Sequence, residues 1–131
     1  MTNSLPSVGE VERNLSQSIQ AFYRHQLGCR TEKVSCHIID MQIVIAIKNP
    51  ITPVEKLLNN HYDAQFISDL RDRIDVIIKQ ELLSLVETVL GIKVAAITID
   101  TALDNNFTGI IVLLSELPSV RRTKGKSRLR N

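Results

Sequence analysis

The sequence predicts an α+β fold: a four-stranded, mainly antiparallel sheet with helices packed on one face, in the order α-β-β-α-α-β-β. Three observations predict it. Apolar residues recur at three- and four-residue steps in two long segments, 8–27 and 63–90. A pair of β-branched, partly alternating runs follows each segment. A glycine, Gly28 or Gly91, stands at each junction, where a left-handed residue would end a helix. The 131 residues suffice for one domain with its own core. That domain is expected over residues 1–117, with a basic disordered tail over 118–131.

The first helix opens on Ser7-Val-Gly-Glu10, a capping box in which a serine oxygen and a glutamate each satisfy one orphan N–H. Val8, Val11, Leu15, Ile19 and Phe22 form its apolar stripe. "VSCHIID" and "MQIVIAIK" read as two strands joined by a tight turn at Asp40-Met41. The second is apolar on both faces in its middle, so both faces call for cover. Thr52-Pro53-x-Glu55 then starts a short helix. Thr52 is a good N-cap, Pro53 suits the first helical position, and Glu55 falls at N3.

The long helix keeps one face through Ile67, Leu70, Ile74, Ile78, Leu82, Leu85 and Val89. Val76, Ile77, Leu83, Val86 and Leu90 make its second half apolar over a wider arc. A helix of this kind is central or shared with a second chain. "KVAAITID" and "FTGIIVLL" give the last two strands, with a looser turn at Asp104-Asn105-Asn106.

Hydrophobic residues are 44% of the chain and aromatics only 4%, so the core is aliphatic. The longest aliphatic runs, 43–47 and 110–114, are far below the roughly 20 residues a bilayer-spanning helix needs. No signal-peptide pattern opens the chain, and two cysteines do not make a disulfide framework, so a cytoplasmic location is expected. The net charge of +2 hides a division. Six of the sixteen Lys and Arg lie at 121–130, and all fourteen acids lie before them, leaving the first 120 residues at −4.

Those six cations, Arg121, Arg122, Lys124, Lys126, Arg128 and Arg130, would attract nucleic acid or anionic lipid through salt-dependent phosphate contacts. Such a tail adds affinity rather than sequence specificity.

No catalytic, cofactor or metal set emerges from the residues. His25, Cys29, Cys36 and His37 are the right types for zinc, but Cys36 and His37 are strand neighbours and point to opposite faces. There is no nucleophile elbow and no phosphate loop. In "DLRDRID", Asp69–Arg73 and Arg71–Asp75 are four apart and are expected to pair across a solvated helix turn. Asp63 is expected to cap the long helix.

These pieces together resemble one family. Ile51-Thr52-Pro53-Val54-Glu55-Lys56 matches its Leu/Ile-Thr-Pro-x-Glu-Lys box, and Leu90-Gly91-Ile92-Lys93-Val94 its Leu-Gly-x-Lys-Val. Over about residues 8–117 the chain is similar to the MpsC family, formerly a bacterial domain of unknown function. The resemblance matches Arg71, with Arg73 as the alternative, to the arginine of the family's long helix. Gly28-Cys29-Arg30-Thr31 stands where other members show a Gly-Arg-Gly-Pro-like turn. The resemblance implies an accessory protein of a sodium-translocating, membrane-potential-generating system, associated elsewhere with inorganic-carbon uptake.

The combined expectation is a non-enzymatic accessory or regulatory protein. It would act through protein contacts as a homodimer, with a membrane-transporter subunit as a further partner. The alternatives are a nucleic-acid-binding protein that uses its tail and a small-molecule ligand sensor.

Overall fold

The computed structural model describes residues 5–121. Helix α1 (Val8–Leu27) is followed by strands β1 (Lys33–Ile39) and β2 (Gln42–Lys48). Helices α2 (Pro53–Asn59) and α3 (Ala64–Leu90) come next, then β3 (Val94–Ala102), a 3-10 turn (Leu103–Asn105) and β4 (Phe107–Leu114). This is the expected order. The four strands form one antiparallel sheet in the order β1-β2-β4-β3. Each hairpin keeps its outer strand at an edge, and β2 joins β4 at the centre.

Local chemistry sets the helix ends. Ser7 caps α1 in a complete capping box with Glu10, and Gly28 closes it in the left-handed region at φ 62°. Thr52 and Glu55 form the same reciprocal box at α2, with Pro53 in the first turn. Asp63 caps α3 by accepting from Phe66 N, and Gly91 closes it at φ 69°. Turns at Asp40 (φ 55°) and Asn106 (φ 51°) complete the two hairpins with residues that tolerate this conformation.

The core lies between one sheet face and the helices α1 and α3. Cys36 and Ile38 of β1, Ile43, Ile45 and Ile47 of β2, and Ile110, Val112 and Leu114 of β4 are buried there. Facing them are Val8, Val11, Leu15, Ile19 and Tyr23 of α1, and Ile78, Leu82 and Val86 of α3. Tyr23 takes the place expected for Phe22, which is half-buried. The strictly alternating burial in β2 and β4 leaves the opposite sheet face without cover from any described element.

The buried stripe of α3 runs Ile67, Arg71, Asp75, Ile78, Leu82, Val86. It is rotated from the expected stripe, and Leu70 and Ile74 flank it half-buried. The expected apolar surplus on α3 is also narrower. Val86 is buried and Leu83 and Leu90 are half-buried, leaving Val76 and Ile77 as its exposed aliphatic pair.

The segment after β4 stays against the domain as far as the structure describes it. Pro118 is buried, Arg121 N donates to Pro6 O, and Val8 N donates to Arg121 O. Arg122, Lys124, Lys126, Arg128 and Arg130 of the expected polyanion-binding set lie outside the described residues.

Candidate functional site

A buried polar centre and an open sheet face are the two features that stand out. The polar centre is built by the residues of the Thr-Pro-x-Glu box together with α3. Glu55 completes the cap of α2: its Oε1 accepts from Thr52 N at 3.0 Å and from Thr52 Oγ1 at 2.8 Å. The same Oε1 accepts from Arg71 Nη1 at 2.8 Å. Arg71 Nη1 also donates to Pro50 O at 3.3 Å, and Arg71 Nε to Asp75 Oδ1 at 3.1 Å. Thr101 Oγ1 of β3 donates to Asp75 Oδ2 at 2.8 Å and lies 2.7 Å from Thr108 Oγ1 of β4. With its hydrogen committed to Asp75, Thr101 accepts from Thr108.

Arg71 is 1% exposed and Glu55 2%. This corrects the expectation of a solvated Arg71–Asp75 pair: the two do meet at four-residue spacing, but inside the protein. Asp69 bonds Gln65 rather than Arg73, and Arg71 makes both ion pairs found among the described residues. The physical reason is that Glu55 offers Arg71 a second carboxylate across the fold, which repays part of its desolvation.

Burial pushes the Asp75 carboxyl above its usual range, against the opposing pull of the Thr101 hydrogen bond and the Arg71 charge. Arg71 Nη2 and Tyr23 Oη are buried without a protein partner. The centre thus ties the loop before α2, α2 itself, α3 and the β3–β4 hairpin into one unit. Its groups are committed mainly to one another.

A cleft of about 320 Å³ touches this centre through Glu55 and is otherwise lined by groups that include Lys56, Asn59, Asp104 and Asn106. The cysteines are separate. Cys29 Sγ donates to Asn49 O and Ile51 O at 3.4 and 3.6 Å. Cys36 lies in the core, where burial pushes its thiol up to about 11. His25 and His37 are both exposed.

The open sheet face is defined by the strand register. Its rows, read from β1 across β2 and β4 to β3, are Ile39–Gln42–Leu113–Ala96, His37–Val44–Ile111–Thr98, Ser35–Ala46–Gly109–Asp100 and Lys33–Lys48–Phe107–Ala102. Ile111 at its centre is 52% exposed, and Ile39, Val44, Phe107 and Leu113 are exposed around it. The middle is apolar, with Lys33, Lys48, His37 and Asp100 toward the margins. Runs 43–47 and 110–114 supply both sheet faces at once, as their unbroken apolar character implied.

The family model described as "Na+-translocating membrane potential-generating system (MpsC)" matches residues 7–116. The chain belongs to the MpsC family. The two stretches that carried the resemblance lie inside the match, and both are helix boundaries: Thr52-Pro53-x-Glu55 begins α2, and Leu90-Gly91 ends α3. Of the two arginines in this stretch of α3, Arg71 occupies the polar centre and Arg73 is exposed. No curated protein and no solved structure matches the chain. Among the described residues no helix is long and apolar enough to cross a membrane.

Sequence reasoning missed the burial of Arg71 and Asp75. The signal was present as a spacing: residues 67, 71, 75, 78, 82 and 86 step by three and four. Charged side chains at two of these positions hid it.

Proposed function

We propose that the chain is a non-enzymatic accessory protein that works by protein contact, on the cytoplasmic side of the sodium-translocating membrane system for which its family is named, and as a homodimer. The observation that carries this reading is the open sheet face, where Ile111 and its apolar neighbours have no helix over them among the described residues. Contiguous exposed apolar surface rimmed by polar residues marks an interaction site. The polar centre supports the reading from the other side. Its acids and its arginine bind each other and hold the frame that presents the sheet.

The test is co-isolation of the sodium-translocating subunits from the native cell with tagged wild-type chain and with Ile111→Asp. Ile111 points away from the core, so the variant keeps its fold by circular dichroism. Loss of the subunits with Ile111→Asp is the expected result. Equal recovery with both chains overturns the proposal.

A further inference from the structure

The open face has the relief needed to fit a copy of itself. The Val44–Ile111 row carries branched side chains at its centre, whereas the adjacent Ala46–Gly109 row is low. Over that low row lies a depression of about 370 Å³ whose lining includes Val44, Ile111, Phe107 and Asp100.

We infer that two copies pack these faces together about a two-fold axis that lies in the interface and crosses the strands between the two central rows. The Val44–Ile111 ridge of each copy then enters the Ala46–Gly109 depression of the other. This rests on the proposed homodimer and adds its geometry: the paired form is the one the membrane subunits bind, so parting the copies at Ile111 loses them.

Symmetry is the first argument for a second copy. A two-fold interface must be self-complementary: if one position meets another, the reverse must hold. A ridge and a depression on adjacent rows meet that condition in one operation. The other in-plane two-fold axis, parallel to the strands, sets depression on depression and leaves a void, which close-packed interfaces avoid.

Charge is the second argument. The inferred axis reverses the row order. Lys33 and Lys48 come over Ile39 and Gln42 of the other copy, and Asp100 comes over its Thr98. No like charges are brought together, and each Lys48 gains an amide oxygen to donate to. Sheets packed face to face stay within about 30° of alignment, which keeps these groups within reach.

Area sets the strength. Four strands about 4.8 Å apart and seven residues long at about 3.3 Å each give a face of roughly 19 by 23 Å. Two such faces bury about 900 Å², close to the roughly 1,000 Å² at which specific interfaces begin. The dimer is therefore weak and concentration-dependent.

Sedimentation equilibrium on the full chain, with Gln42→Glu and Gln42→Lys as variants, tests the geometry. Gln42 is exposed, so both variants fold. Wild type is expected to dimerise with rising concentration. Gln42→Glu, placed opposite Lys33 and Lys48, tightens the dimer roughly threefold to tenfold at low salt, and Gln42→Lys loosens it. Both effects shrink as salt rises.

A dimer weakened by Gln42→Glu overturns this axis, since the strand-parallel axis would put that carboxylate over Leu113. Wild type that stays monomeric at all concentrations overturns the pairing altogether. The contact reading then stands or falls separately, on whether Ile111→Asp loses the membrane subunits.

Discussion

Arg71 Nη1 lies 2.8 Å from Glu55 Oε1, and both side chains are almost wholly buried. The oxygen that receives the guanidinium also receives the cap of α2. One carboxylate therefore starts a helix and anchors a charge from the next. Replacing Arg71 by Met would leave Glu55 and Asp75 buried without their cation, and breaking a buried pair in this way costs about 3–5 kcal/mol. Urea denaturation of the variant measures it. A loss under about 1 kcal/mol, the worth of an exposed pair, would show that the centre is solvated.

Thr52→Ala removes the hydroxyl that accepts from Glu55 N and donates to Glu55 Oε1. The expected cost is about 1 kcal/mol, the usual worth of an N-cap. Thermal unfolding checks it. Retained co-isolation of the sodium-translocating subunits is expected too, because Thr52 is buried away from the open face.

The raised Asp75 carboxyl makes a signed prediction. Its folded pKa lies above the unfolded value, so the folded state binds the proton more tightly. This contribution to stability is present at low pH and is lost as pH rises from near 3.8 through the raised value. Asp75→Asn abolishes that decline. Comparing urea midpoints of the two proteins across the acid range reads the difference, and parallel curves would contradict it.

Cys36 combines burial with a thiol pushed up to about 11, so little thiolate forms near neutrality. A thiol reagent at pH 7.5 is expected to label Cys36 slowly in the native chain and fast in denaturant. Mass mapping of labelled peptides identifies the site. Equal rates in both states would place Cys36 at the surface.

Much of the fold was legible because its signals are local. Ser7 with Glu10, Thr52 with Glu55, Asp63, Gly28 and Gly91 act within a few residues of themselves, and each marks a boundary where sequence placed it. The antiparallel hairpins followed from run length and turn residues. The pairing of β2 with β4 had no local signal, since apolar runs 43–47 and 110–114 fit the centre of any sheet. The polar centre was half legible. Arg71 and Asp75 at four-residue spacing look the same in water and in a core, and what distinguishes the two cases is Glu55, sixteen residues away. Its capping role already accounted for its presence, so its second role was hidden. The open face followed from the same apolar runs as a surplus, but only the one-sided placement of α1 and α3 shows which surface carries it.

The most direct measurement compares co-isolation of the sodium-translocating subunits by two single variants, Ile111→Asp on the open sheet face and Ile77→Asp on the exposed side of α3. The expected result is loss of those subunits with Ile111→Asp and full recovery with Ile77→Asp. Full recovery with Ile111→Asp and loss with Ile77→Asp would contradict a working surface on the sheet and move it to the helix.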